Sequence, residues 1–284
     1  MSLFLTDAMS DKISVNERAR KLLHSFFEWL VVSKCPACSA VTRHSGTLCD
    51  GCLKKYAEEK ERKCEFCEMT ASDCVCSTRD LEFCPSFGKS LHSYTFYVPS
   101  NSVLTSSLYS LKRNPDRNAE KMFARELSAE LLRLAAENKC DLSEWRVTFP
   151  PRGRASVLNY GFDQSKGLAK RVSKLTGAVF EDVFSRRGSE KQKTLDAGGR
   201  MKSALHSFNI RKNISVKGKK YIIIDDVVTT GATAGTCERL LFNSGAESVF
   251  VLSIAKTPKI GKGYDRKEER RRPKAKSKDL WFEE

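Results

Sequence analysis

No apolar run in this 284-residue chain approaches the ~20 residues that cross a bilayer as a helix. The opening residues, Met1-Ser2-Leu3-Phe4-Leu5-Thr6-Asp7, lack a basic region followed by a long apolar core, so no secretory leader is predicted. Acidic residues are in deficit: 35 Asp and Glu stand against 50 Lys and Arg, a formal charge of +15. These absences predict a soluble, cytoplasmic protein with no membrane span. Its partners are expected to be anionic, namely phosphorylated metabolites, nucleic acid or a charged membrane surface. Charge alone does not choose among them. The length suffices for more than one domain and a sizeable core.

The stretch that organises the chain runs from Lys220 to Thr233. Tyr221 to Ile224 is short, apolar and β-branched, as in a strand buried on both faces of a parallel sheet. Asp225 and Asp226 follow where that strand is expected to end. Next come Val228, Thr229, Thr230, Gly231, Ala232 and Thr233, then an apolar helical pattern around Leu240 and Leu241, closed by Gly245. Backbone N–H groups of such a loop, the start of the helix and the threonine hydroxyls suit a phosphate monoester. Gly231 lets the backbone approach the ligand without a Cβ in the way. No Lys-Ser/Thr follows the glycine, which excludes a Walker loop. Two carboxylates repel a bare polyphosphate but accept hydrogen bonds from neutral hydroxyls beside a phosphate. A ribose 5-phosphate fits that description. The alternative is a buried strand ending in a polar turn.

Nine of the eleven cysteines lie between Cys35 and Cys84. Cys35-Pro36-Ala37-Cys38 and Cys49-Asp50-Gly51-Cys52 are two C-x-x-C knuckles whose four thiolates can surround one Zn²⁺. Disulfides are the alternative, disfavoured in a reducing compartment. A second zinc is expected on Cys64, Cys67, Cys74 and Cys76, although the last pair has one residue between cysteines instead of two. Cys84 is a third downstream candidate, able to replace Cys74 or Cys76. A segment this poor in apolar residues would draw its folding energy from the metal.

Residues 11 to 33 carry Leu22, Leu23, Phe26, Phe27, Leu30 and Val31 at helical spacing, either for packing on the next domain or for docking on a membrane. From Ser93 the pattern is that of an α/β domain. Strands are expected over Tyr94–Val98 and Val147–Phe149, and a final strand over Ser248–Ile254. Helices are expected over Val103–Leu111, Ala119–Ala136 and Ser165–Leu175. After Phe149, Arg152 and Arg154 stand where a pyrophosphate would find guanidinium forks, or where a basic turn is simply solvated. Ser185 to Thr194 is polar and charged and reads as a mobile loop able to close over a ligand. Residues 259 to 284 have no apolar period and read as a solvated tail or as a basic arm for nucleic acid.

The run Ile224-Asp225-Asp226-Val227-Val228-Thr229-Thr230-Gly231-Ala232-Thr233 resembles the PRPP-binding motif of type I phosphoribosyltransferases. Paired cysteine knuckles precede it, then Leu111-Lys112-Arg113, then Gly161-Phe162-Asp163-Gln164, then Gln192, Leu195, Arg200 and Phe208. In that order the motifs are similar to the ComF family of competence-associated proteins over about residues 35 to 257. Asn159-Tyr160 stand where that family usually has arginines, and Asp163 replaces its asparagine.

The resemblance implies a type I phosphoribosyltransferase-like α/β fold, with a parallel sheet flanked by helices and preceded by a zinc-ribbon module. The expected division is an N-terminal helical segment (1–34), the ribbon module (35–92), the phosphoribosyltransferase-like domain (93–258) and the tail (259–284). Two functions of different class follow. One is an enzyme that uses PRPP with Mg²⁺ to transfer a 5-phosphoribosyl group, with Asp225 and Asp226 as its acidic pair. The other is a DNA-uptake accessory protein that binds single-stranded DNA or a helicase partner. Stacking of bases would need clustered aromatics, for which Phe83, Phe87, Tyr94, Phe96 and Tyr97 are the candidates. No stretch forms a recognisable hood for a nucleobase.

Overall fold

A computed structural model describes residues 33–74, 76, 81, 84–97, 102–113, 117–153, 157–158, 161–186 and 208–258. The expected helix up to residue 32, Phe83, Arg154, the loop from 187 onward and the tail from 259 lie outside them.

Two short antiparallel strands, β1 (Ser33–Lys34) and β2 (Val41–Thr42), open the described chain, followed by helix α1 (Asp50–Lys60). After a 3-10 turn at Pro85–Phe87 come β3 (Leu91–Phe96), α2 (Val103–Arg113), α3 (Arg117–Glu137), a second 3-10 turn at Leu142–Glu144 and β4 (Trp145–Thr148). The second half holds α4 (Gln164–Thr176), β5 (Val179–Phe180), β6 (Phe184–Arg186), β7 (Phe208–Ile210), β8 (Lys220–Val228), α5 (Ala232–Asn243) and β9 (Ser248–Lys256). Among the described residues no helix is long and apolar enough to cross a membrane.

β3, β9, β8, β4 and β5 form one parallel sheet in that order. Alternate residues of β8 explain its two-sided burial. Ile222 and Ile224 join Trp145, Val147, Phe250 and Leu252 on the face covered by α2, α3 and α4. Tyr221 and Ile223 join Val249, Val251 and the α5 residues Ala234, Cys237 and Leu241 on the other. A strand enclosed on both faces has no polar side to keep, hence the unbroken apolar run.

Strand order also locates the site. The chain leaves β4 outward to β5, then returns to place β8 beside β4 before moving outward again to β9. The crevice at the carboxyl ends of β4 and β8 is therefore the topological switch point, where open α/β sheets hold their ligands.

Three expectations need correction. β8 does not end before the acidic pair. It continues to Val228, with Asp225, Val227 and Val228 registered on Ser253, Ala255 and Lys256 of β9. β4 stops at Thr148, opposite Ile223, so the carboxylates stand on a strand that has outrun its neighbour. Ser185 and Arg186 are not the start of a loop but lie in a short strand, paired antiparallel with Asn209 and Phe208. β3 likewise begins at Leu91, three residues before the expected start.

The cysteine-rich segment packs on the sheet domain through polar and apolar contacts. Tyr56 Oη and Lys60 Nζ of α1 each donate to Glu126 of α3, both at 2.8 Å. Gly46 lies so close to α3 that a Cβ would stand 2.6 Å from that of Lys121, and its φ of +73° is one that L side chains rarely adopt. Cys35 and Cys52 lie in the same apolar cluster as Phe123 and Leu127. The first cysteine group thus rests on the main core.

Candidate functional site

Asp225 and Asp226 occupy the part of β8 that extends beyond β4 while still paired with β9, and their surroundings separate them. Burial, aided by the charge of Asp226, pushes the Asp225 carboxyl up to about 7; the Asp226 backbone N–H, Lys112 and Arg152 act in the opposite direction. Asp225 Oδ1 accepts from the Asp226 N–H at 2.9 Å. Asp226 Oδ1 accepts from the Val227 N–H at 2.7 Å. Asp226 Oδ2 receives two donors from distant elements, Lys112 Nζ of α2 at 3.1 Å and Gln164 Nε2 of α4 at 3.2 Å. Gln164 is 1% exposed, and its Oε1 is buried without a hydrogen-bond partner among the described residues.

Across the crevice, the segment after β4 is held by Asp163. This residue caps α4 by accepting from the Lys166 N–H at 3.2 Å, and it accepts the Arg152 N–H at 2.9 Å. Both tasks require only a side-chain oxygen, which an aspartate supplies. Arg186 at the end of β6 reaches the same segment. Its Nη1 lies 3.5 Å from the Pro151 carbonyl, and its guanidinium lies 3.8 Å from where a Gly153 Cβ would stand.

The turn after β8 leads into α5. Gly231 is the N-cap residue in the left-handed region (φ +77°), and it carries no side chain to cap the helix. The Ala232 N–H reaches Thr230 Oγ1 at 3.4 Å. Thr229, Thr230, Ala232 and Thr233 are exposed, while Gly231 is buried. A helix start with exposed hydroxyls around it favours negative charge.

The eight cysteines form two groups of four, Cys35, Cys38, Cys49 and Cys52, and Cys64, Cys67, Cys74 and Cys76. In each, the four Sγ atoms lie within 4.8 Å of one another. Tetrahedral zinc with Zn–S near 2.3 Å needs sulfurs about 3.8 Å apart, so both donor sets fit that ion. The two knuckles share one backbone plan. Cys35 N–H donates to the Ala40 carbonyl and Ser39 N–H returns to Cys35; Cys64 N–H donates to Met69 and Glu68 N–H returns to Cys64. Ser39 and Glu68 take φ of +65° and +57°, a conformation non-glycine residues seldom adopt. Burial raises the Cys64 thiol, but the Phe66 and Cys67 N–H groups outweigh it and bring the thiol down to about 7. Burial pushes its neighbour Cys74 up to about 12.

Cys84 belongs to neither group. It is buried in the main core with its Sγ 3.2 Å from Ser248 Oγ, because the 3-10 turn after it stacks Phe87 on Phe250. The single-residue spacing of Cys74 and Cys76 therefore needs no replacement. All eleven cysteines are free thiols. The second group also touches the sheet. Lys256 at the end of β9, 1% exposed, donates to the Cys74 carbonyl and lies 5.9 Å from the Phe96 ring centroid. Of the candidate stacking aromatics, Phe87, Tyr94 and Phe96 are core residues and Tyr97 packs against the core.

Three site residues were missed by sequence reasoning about function: Gln164, Arg186 and the cation Lys112. Lys112 and Gln164 stand within the runs Leu111-Lys112-Arg113 and Gly161-Phe162-Asp163-Gln164, two of those on which the sequence resemblance rests, which was the available signal.

A scan against protein-family models finds none that matches the chain. The competence protein ComFC of Streptococcus pneumoniae is 25% identical over 209 residues, covering 74% of this chain and 87% of that protein. The DNA utilization protein YhgH of Escherichia coli K12 is 28% identical over 225 residues, covering 78% and 90%. Among solved structures, a hypoxanthine phosphoribosyltransferase of Staphylococcus aureus aligns with a TM-score of 0.32 and 16% identity, over 50% of this chain and 70% of that one.

Proposed function

We propose that this chain, a ComF-type relative of ComFC and YhgH with a phosphoribosyltransferase-like fold, binds PRPP and transfers its 5-phosphoribosyl group to an acceptor. One observation carries the reading: a half-buried acidic pair at the switch point of a parallel sheet, followed two residues later by a threonine-lined turn into an uncapped helix. The helix start and the hydroxyls of Thr229, Thr230 and Thr233 would hold the 5-phosphate. The carboxylates of Asp225 and Asp226 would accept the ribose 2′ and 3′ hydroxyls. As pyrophosphate departs, the ribose gains positive charge, which two fixed carboxylates favour. Arg152 and Arg186 border the side on which the leaving oxygens would lie. Mg²⁺ bound with PRPP would neutralise part of its charge; hard oxygen donors such as these carboxylates suit that ion.

The cysteine groups would each hold a structural Zn²⁺, closed by four thiolates and offering no open position for chemistry. Unpaired thiols and the absence of a crossing helix among the described residues are consistent with a cytoplasmic protein.

The test is release of pyrophosphate when PRPP, Mg²⁺ and a panel of nucleobases are added. Binding of PRPP without release leaves the chain a PRPP-binding protein. No binding at millimolar PRPP rejects the reading.

A second reading is supported by the names of the relatives: an accessory protein in DNA uptake that binds single-stranded DNA or a helicase. Its charge argument is the +15 balance and the cationic residues Arg266, Lys267, Arg270, Arg271 and Arg272. Counterion release would make such binding steeply salt-dependent and indifferent to sequence. Anisotropy of a labelled oligonucleotide at two salt concentrations tests it, with full-length protein beside a form lacking residues 259 to 284. Identical curves would remove the tail from the account.

A further inference from the structure

Lys112, on helix α2, forms an ion pair with the acidic pair through Asp226. Its Nζ lies 3.1 Å from Asp226 Oδ2, with its side chain 37% exposed. The same oxygen receives Gln164 Nε2 at 3.2 Å, while Oδ1 is engaged by the Val227 N–H. Asp226 therefore enters the ligand-free state with three donors already placed, and only part of its acceptor capacity is left for a ribose hydroxyl. The helix that carries Lys112 is fixed at its far end. The N–H groups of Val103 and Leu104 donate to the Glu59 carboxylate at 2.7 and 3.0 Å, and Ser102 Oγ accepts the Thr105 N–H at 2.9 Å. Lys112 thus swings on a flexible four-carbon stem from a fixed backbone.

The geometry points to Lys112 as an exchangeable counter-ion: it holds Asp226 while the site is empty and transfers to the pyrophosphate when PRPP binds. This rests on the PRPP reading above and deepens it. Two carboxylates at the end of β8 oppose a polyanion, and the opposition falls if the incoming charge finds a cation within reach. Releasing Lys112 frees a lone pair of Asp226 for the ribose in the same step. Gln164 differs from Lys112, because it is buried and neutral. It has no charge to give to pyrophosphate and acts only by orienting Asp226, with its unpaired Oε1 as a further acceptor in the crevice.

Ribose 5-phosphate lacks the pyrophosphate, so comparing it with PRPP separates the two roles. Calorimetric titration of both ligands with Mg²⁺ is expected to give Lys112→Ala at least tenfold weaker PRPP binding, with ribose 5-phosphate bound equally or more tightly. Lys112→Arg, which keeps the charge, should retain PRPP binding to within a few-fold. Gln164→Met should weaken both ligands alike, the signature of a positioning residue. If Lys112→Ala weakens both ligands equally, or neither, the exchange is overturned while PRPP binding stands. If wild-type protein binds neither ligand, the PRPP reading falls and the exchange falls with it.

Discussion

The carboxylate of Glu59, near the end of α1, accepts the N–H of Val103, the first residue of α2, at 2.7 Å. This contact joins the first cysteine group to the acidic pair through two helices. Cys49 and Cys52 stand at the start of α1, Glu59 near its end, and α2 carries Lys112 to Asp226. A further path runs from the second group through Lys256 to the end of β9, where Lys256 registers on Val228 beside the threonine turn.

Protein purified without added zinc is expected to carry two equivalents by metal analysis. Cys35→Ser together with Cys49→Ser should lower this to one. That variant should also bind PRPP more weakly, since α1 no longer has a fixed start from which to hold α2. Folded protein free of metal would refute the assignment.

Asp225→Asn and Asp226→Asn should each weaken PRPP binding by about 1–3 kcal/mol, the worth of a hydrogen bond to a charged acceptor. Calorimetry with Mg²⁺ present reads this directly. Unchanged affinity in both variants would move the ligand elsewhere.

Asp225 also predicts a pH dependence. Its folded-state pKa is raised to about 7, so between about pH 4 and 7 the native state binds more protons than the unfolded chain. This contribution to stability is complete below the unfolded pKa and is lost as pH rises through 7. Melting temperatures measured across that window should fall with pH on account of this group, and Asp225→Asn should flatten the slope. PRPP with Mg²⁺, by favouring the ionised carboxyl, should release protons near neutrality. Equal binding enthalpies in buffers of different ionisation enthalpy would contradict that.

Lys256→Met removes a buried cation from beside the second cysteine group. Loss of its hydrogen bond to the Cys74 carbonyl should cost about 1.5–3 kcal/mol, and this metal should leave the protein at lower chelator concentration than the first. Simultaneous loss of both metals would show that Lys256 does not act on the second group alone.

Some of this protein was legible in local sequence. An unbroken apolar run announced β8, because a strand enclosed by helices on both faces has no solvent side. Spacing announced the cysteine groups, since a knuckle closes on itself within a few residues. Helical periods located α2, α3 and α4 to within a few residues of their observed ends, and Asp225, Asp226 and the turn to Thr233 followed from their order along the chain. Tertiary structure decided the rest. β8 runs past Asp226 because β9 remains alongside to accept its hydrogen bonds, a pairing no window of β8 contains. Cys84 and Cys76 both follow a knuckle in sequence, yet the stacking of Phe87 on Phe250 draws Cys84 into the core. Lys112, Gln164 and Asp226 are separated by 52 and 62 residues and meet only because β8 returns beside β4. Local pattern specifies what a segment becomes; strand order determines which distant charges must neutralise one another.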